Sequence, residues 1–208
     1  MIELTVIRHA EAHCNVAGIV GGPRSCTGLT EHGRCQARLL AARLHRRSTG
    51  TQRPTTIYSS PRRRVVETAE IIAASLDLPV AHLDDLRDPD YGPTADGQLW
   101  STLTAAARET GHATDLTTPL APGGESWSQY VIRTNALLGE LIIRHRGERL
   151  LLVGHAETVQ ALHQALLELP PTHKTKVKYA VENASLTTWH REQSRWTLIC
   201  HNDYFHLE

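Results

Sequence analysis

The chain predicts an α/β fold, a three-layer sandwich whose mostly parallel central sheet has helices on both faces. Three observations point there. Apolar runs of strand length alternate with segments of helical period along most of the 208 residues. Leu150-Leu151-Leu152-Val153 is apolar without a break, the pattern of a strand buried on both faces. Two histidines, His9 and His155, each follow directly on such a run, and ligands in sheets of this kind sit at the carboxyl ends of strands.

The elements follow in order. Glu3 to Arg8 reads as a first buried strand, and a loop rich in Gly, Pro and Ser runs from Gly18 to Gly28. Thr30 to Arg47 reads as a helix with Thr30 as N-cap and an apolar face of Cys35, Ala37, Leu39, Leu40, Ala42 and Leu44. Thr56 to Ser59 is a short strand. Arg63 to Leu76 is a helix with Val66, Ala69, Ile72, Ala73 and Leu76 spaced for burial. Leu78 to Leu83 reads as a third strand. Between Leu86 and Gly124, turn signals recur at Asp88-Pro89, Gly92-Pro93, Asp96-Gly97 and Pro122-Gly123-Gly124, around one helix near Gln98 to Thr110. This stretch reads as a lid-like insertion. Ser126 to Arg146 is a long helix capped by Ser126, Arg149 to Gly154 is the central strand, and Thr158 to Leu167 is a helix stopped by Pro170-Pro171. Strands at Ala184 to His190 and Arg195 to Cys200 close the chain. Residues 1–208 read as one domain.

Composition narrows the function classes. Hydrophobic residues make up 40% and charged residues 21%, as in a globular protein. The 22 basic residues balance the 22 acidic ones, which argues against general binding to nucleic acid or to an anionic membrane surface. Lysine occurs only at Lys174, Lys176 and Lys178, so arginine carries nearly all the positive charge. Its guanidinium suits bidentate binding of oxyanions. Cys14, Cys26, Cys35 and Cys200 form no C-x-x-C pair, and the histidines form no H-E-x-x-H pattern, so neither metal nor other cofactor is expected. No apolar run approaches the roughly 20 residues of a membrane span. A reducing, cytoplasmic setting is the expectation.

The first strand delivers Arg8-His9-Ala10 to its carboxyl end. A neutral imidazole, with an ordinary pKa of about 6.5, beside a fixed cation suits attack on an anionic electrophile. Phosphoryl transfer needs such a nucleophile, cations placed around the equatorial oxygens, and a proton donor for the leaving alkoxide. Arg62, Arg63 and Arg64 crowd a helix amino end, where cations oppose the macrodipole, and this hints at a bound anion.

The stretch TVIRHAEAHCN, Thr5 to Asn15, resembles the opening motif of the histidine phosphatase superfamily, also called the phosphoglycerate mutase-like family. Three more segments match in order. YSSPRRRVVETAE (Tyr58 to Glu70) is similar to the family's S-S-P-x-x-R-x-x-[QE]-T-A stretch, DDLRDPDYGPTADG (Asp84 to Gly97) to its L-x-E-x-x-[FY]-G region, and LLLVGHAETV (Leu150 to Val159) to its strand and second histidine. GLTEHGRCQARLL, Gly123-Gly124-Glu125-Ser126, ENASLTTW and HNDYFHL extend the likeness over nearly the whole chain.

The resemblance implies a metal-independent phosphatase that hydrolyses a small phosphorylated metabolite through a phosphohistidine. His9 would be the nucleophile, with Arg8, Arg64, Asn15 and His155 holding the phosphoryl group. Arg64, not Arg62 or Arg63, falls at the family's phosphate-binding arginine by register from Ser60-Pro61. Asp88 would protonate the leaving group, with Asp90, Asp96 and Glu11 as alternatives, and such a donor calls for a raised pKa. Gly21 and Gly22 align with a substrate-contacting loop, and with Ala156 they are the further residues expected to bind phosphate or substrate. Ala10 and Ala156 stand where glycines often follow the two histidines, which requires ordinary backbone there, and Glu157 adds a negative charge beside Ala156. Two other readings stay open: mutase-type phosphoryl transfer, against which Pro89 replaces an arginine expected after the acid, and a non-catalytic phosphate-binding relative. Assembly into a homo-oligomer is also left open.

Overall fold

The computed structural model describes residues 1–48, 50 and 53–208. Six strands, β1 (Ile2–Arg8), β2 (Thr56–Ser59), β3 (Val80–His82), β4 (Arg149–Gly154), β5 (Leu186–Glu192) and β6 (Arg195–Asp203), form one sheet in the order β3-β2-β4-β1-β5-β6. The pairs β3·β2, β2·β4 and β4·β1 are parallel. β5 runs antiparallel to both neighbours, so it alone opposes the other five. The helices are α1 (His13–Val16), α2 (Glu31–Arg47), α3 (Arg63–Leu76), α4 (Trp100–Glu109), α5 (Trp127–Arg144) and α6 (Ala156–Leu166).

Strand alternation sorts the core into two halves. Leu4 and Val6 of β1 and Leu150 and Leu152 of β4 pack with Leu137, Leu138 and Leu141 of α5 and Val159 and Leu162 of α6. Ile7, Ile57, Leu151 and Val153 point the other way, onto Ala37, Leu40, Ala41 and Leu44 of α2 and Val65, Ala69 and Ile72 of α3. The three layers read from the sequence are therefore present.

Several elements differ in detail. On α2 the buried stripe is Gly33, Ala37, Leu40, Ala41 and Leu44, while Cys35, Leu39 and Ala42 are exposed. Gly33 sets that rotation: a Cβ there would lie 1.9 Å from the Glu11 carbonyl oxygen, so α2 packs its first turn against the backbone after β1. On α3 Val65 is buried and Val66 is half-buried, and β3 keeps only three residues. α6 begins at Ala156, two residues earlier than expected, which makes His155 its N-cap. The single turn α1 was not anticipated. Residues 86–124 share a small cluster with the glycine loop before α2, Ala95 and Leu103 meeting Val20, with Tyr91 and Trp100 packed against it. The segment is tied to the preceding glycine loop by Val20 N–Gln98 O (2.8 Å), Gly97 N–Val20 O (3.0 Å) and Trp100 N–Gly18 O (2.9 Å). Among the described residues no helix is long and apolar enough to cross a membrane.

Candidate active site

Parallel pairing of β1 with β4 puts Arg8 opposite Gly154, so the histidines that follow the two strands emerge together. Both are buried, and their rings meet edge to face with centroids 5.4 Å apart. The backbone of His9 is held from two sides. Its carbonyl accepts from Asn183 Nδ2 (3.0 Å) and Ala184 N (3.3 Å), and the next amide, of Ala10, donates to Thr68 Oγ1 (3.2 Å). Neither Ala10 nor Ala156 has a positive φ, as alanine requires.

The ring of His9 is fixed in one tautomer. Nδ1–H donates to the Ala10 carbonyl at 2.8 Å, and Nε2 accepts from Arg64 Nε at 3.1 Å. A nitrogen that accepts a hydrogen bond is unprotonated, so Nε2 keeps its lone pair. Burial, then the charge of Arg64 and, more weakly, that of Arg8, hold the His9 pKa well below the usual histidine value.

Arg64, on the first turn of α3, is 5% exposed and uses its whole guanidinium. Besides His9, it donates through Nη1 to the Gly21 carbonyl (2.7 Å) and through Nη2 to Asp88 Oδ2 (2.6 Å) and His155 Nδ1 (3.2 Å). Gly21 is required by this approach, since a Cβ would meet Cys14 Sγ at 2.6 Å and Arg64 Nη1 at 2.9 Å. With Nδ1 accepting, His155 donates from Nε2 to Ser60 Oγ at 3.0 Å. Burial drives its pKa down to about 3 against the opposing pull of Asp88, so this imidazole is also neutral.

Asp88 is buried and doubly paired, to Arg64 and to Arg62 Nε (3.0 Å). Burial alone would favour its neutral form. His155, Arg64 and Arg62 outweigh that and hold the carboxyl at about 2. This corrects the expectation of a raised pKa: Asp88 rests ionised because two guanidiniums face it. The loop that carries it is braced from α5, where Arg133 donates to the Asp85 carbonyl (2.7 Å) and pairs with Glu125 Oε2 (2.7 Å).

One cavity of about 140 Å³ collects most of the expected residues: Arg8, His9, Asn15, Gly21, Arg64, Asp88, His155 and Ala156 line it. Gly22 does not line it, because its amide turns to Val20 O and Ser25 Oγ inside the loop. The alternative acids are occupied elsewhere. Asp90 accepts from the Gly92 amide, Asp96 from the amides of Arg24 and Ser25, and Glu11 from Thr30 Oγ1. Two groups in the lined wall are poised for an anion. Arg8 Nε is buried with no hydrogen-bond partner among the described residues. Asn15 spends its side-chain oxygen on the Ala12 amide, which leaves its NH₂ for a ligand. Cys14, Ile19, Tyr91, Trp100 and Glu157 complete the wall.

Sequence reasoning missed Ser60, Arg62, Arg133 and Asn183 as parts of the site. Ser60 and Arg62 stand inside the S-S-P-x-x-R segment, where a pattern centred on Arg64 leaves them unassigned. Arg133 carries no motif and works only through the fold.

Over residues 4–204 the chain matches the sequence profile of the histidine phosphatase superfamily (branch 1). It is 29% identical over 211 residues to the metal-independent phosphoserine phosphatase of Arabidopsis thaliana, covering 99% of this chain and 83% of that one. It is 30% identical over 200 residues to a probable phosphoglycerate mutase, GpmB, of Salmonella paratyphi C, covering 94% and 88%. Its fold superposes on the mycobacterial glucosyl-3-phosphoglycerate phosphatase complexed with VO3 with a TM-score of 0.79 at 28% identity, over 96% of this chain and 98% of that one.

Proposed function

The chain belongs to the histidine phosphatase superfamily and is a phosphatase, and from that premise we propose that it hydrolyses a small phosphomonoester, without a metal, through a phosphohistidine at His9. The observation that supports this reading most is the unprotonated His9 Nε2, held by Arg64 on the wall of a cavity that a second cation, Arg8, also lines. The names of the relatives, phosphoserine phosphatase and glucosyl-3-phosphoglycerate phosphatase, agree with a small phosphorylated substrate. Residues 1–208 act as one domain in this reading, in a cytoplasmic setting that suits the four free cysteines.

The chemistry runs in two displacements. A phosphate dianion enters between Arg8, Arg64, Asn15 and His155, and guanidinium donors replace its water. Arg64 turns from His9 Nε2 and Asp88 to the phosphate oxygens, which frees the Nε2 lone pair for attack. Asp88 thereby loses its nearest cation and gains an anionic neighbour, and both changes raise its pKa from about 2. It takes up a proton and hands it to the leaving oxygen as Nε2 of His9 attacks phosphorus in line. The Asp88 carboxylate then takes a proton from water, which attacks the phosphohistidine.

The test is hydrolysis of p-nitrophenyl phosphate in EDTA by the natural chain and by His9→Ala, with acid-quenched protein examined for phosphohistidine. Turnover that His9→Ala abolishes, with phosphate trapped only on the natural chain, is the expected result. Equal rates in both proteins, or activity that EDTA removes, would overturn it.

A further inference from the structure

Helix α6 and the segment that returns beside it leave a channel between them. Glu157, Gln160, Gln164 and Leu167 recur at spacings of three and four residues, so they lie along one stripe of the helix. The returning segment, residues 173–182, ends at the phosphate site, where the Val181 carbonyl accepts from Arg8 Nη1. Two cavities follow each other along this channel. The nearer, of about 460 Å³, shares Arg8, Ala156 and Glu157 with the phosphate site. The farther, of about 180 Å³, shares Gln160 and Tyr179 with the nearer and is walled by Leu116, Trp127, Leu167, Leu169 and Val177. Because α6 has 11 residues, its far end lies about 16 Å from the phosphate site.

Charge and chemistry change along the channel. In the nearer cavity Arg8 and Lys178 stand against Glu157 and Glu182, a balance that favours neither an anion nor a cation. No carboxylate lines the farther cavity, and its cation, Lys174, is exposed. Its polar groups are largely spoken for: Trp127 Nε1 donates to Gln164 Oε1 (3.0 Å), Gln164 Nε2 to the Pro170 carbonyl (2.7 Å) and Thr175 Oγ1 to the Val177 carbonyl (2.7 Å). An apolar occupant would strip no partner from these groups. The Tyr179 ring packs on His163, centroids 4.3 Å apart, which fixes that wall. Leu167 and Val177 are nonetheless 51% and 62% exposed. Apolar side chains open to water on a cavity wall are surface that a ligand of like character covers.

Resting on the phosphatase reading, we propose that this channel receives the leaving group and that the enzyme takes phosphomonoesters of uncharged alcohols with a long apolar tail, the tail ending between Trp127, Leu167, Val177 and Tyr179. The phosphate stays with Arg8, Arg64 and Asn15, and the chain crosses the charge-balanced stretch beside Gln160. Affinity then comes from apolar area removed from water, about 4-fold for each methylene fully buried. A phosphorylated amino acid is too short to reach the farther cavity.

Calorimetry on His9→Ala, which removes the proposed nucleophile and so prevents turnover of bound esters, reads this without depending on catalysis. The probes are inorganic phosphate, ethyl phosphate and decyl phosphate, the last below its critical micelle concentration. Decyl phosphate is expected to bind more tightly than ethyl phosphate by about 10-fold or more, and excess inorganic phosphate should displace it. Adding Leu167→Ser and Val177→Ser, both at exposed positions, should remove most of that advantage. Ile143→Ser, an equally exposed apolar position on α5 outside both cavities, should leave it intact. If phosphate binds but the two esters bind alike, if the advantage survives both serines, or if decyl phosphate binds without competition from phosphate, the inference falls and the phosphatase reading stands. If His9→Ala binds neither phosphate nor either ester, both fall.

Discussion

Arg64 touches His9, Gly21, Asp88 and His155 from one planar group, and that geometry explains why its identity matters more than its charge. Lysine would keep the cation but lose the fork that fixes four partners at once. Arg64→Lys should lower kcat/KM for p-nitrophenyl phosphate by about 10²-fold, comparable to removing one preorganised donor from a transition-state site; retention within 3-fold would show that point charge suffices. The same residue makes a statement about protons. With Nε2 accepting from a guanidinium inside a buried site, His9 stays neutral well below the ordinary histidine range. Its ring resonances, assigned by their absence in His9→Ala, should not titrate between pH 8 and pH 5, and a midpoint near 6.5 would contradict the site's electrostatics. Which residues share the cavity was legible where spacing is short and chain-local: Arg8, His9 and Asn15 follow from one strand end, and counting from Ser60-Pro61 picks Arg64 out of three consecutive arginines. The ionised state of Asp88 was not legible, because it depends on Arg62 reaching the carboxylate from the turn before α3.

The strands and helices place these groups through contacts that no single segment reveals. α5 packs on one face of the sheet with Leu137, Leu138 and Leu141, and its first turns carry Arg133 toward the loop that bears Asp88. Arg133 reaches the carbonyls of Asp85, Arg87 and Asp88 and grips Glu125, so it fixes the loop by its backbone. Arg133→Ala should therefore reduce kcat about 10-fold or more while KM for p-nitrophenyl phosphate moves less, since the proposed phosphate donors Arg8, Arg64 and Asn15 lie elsewhere. Should KM rise while kcat holds, Arg133 would be acting on binding and not on the acid. Periodicity located α3 and α5 well because their apolar stripes are long. It misjudged α2, where Cys35, Leu39 and Ala42 were assigned to the core, because small residues spread around that helix and the contact that sets its rotation is Gly33 on the Glu11 backbone. A glycine chosen for close approach leaves no trace in a hydrophobic pattern.

At the scale of the whole molecule, the layer order was legible from alternation alone, but the number of neutral imidazoles enclosed by those layers was not. Besides His9 and His155, burial pushes His163 and His206 down to about 4 and lowers His201, and His163 and His201 meet ring to ring with Nε2 and Nδ1 3.1 Å apart. In the unfolded chain each titrates near 6.5. Between 6.5 and the native value the unfolded state binds the extra proton, so stability rises with pH and is lost as pH falls, at up to about 1.4 kcal/mol per pH unit for each fully buried histidine. His155 and His163, both buried, should each contribute about 2 kcal/mol of destabilisation by pH 5, with less from the partly exposed His201 and His206. Asp88 acts in a separate window: its depressed pKa supports the fold above 3.8, and that support fades as pH falls toward 2. Urea unfolding at pH 7.5, 6.5, 5.5 and 5.0 should therefore show a midpoint that falls steadily from about pH 6.5 downward, well above the pH at which Asp88 protonates. A midpoint constant to pH 5 would mean that these histidines are protonated as readily in the folded protein as in the unfolded chain, and the neutral state assigned to the buried imidazoles would lose its basis.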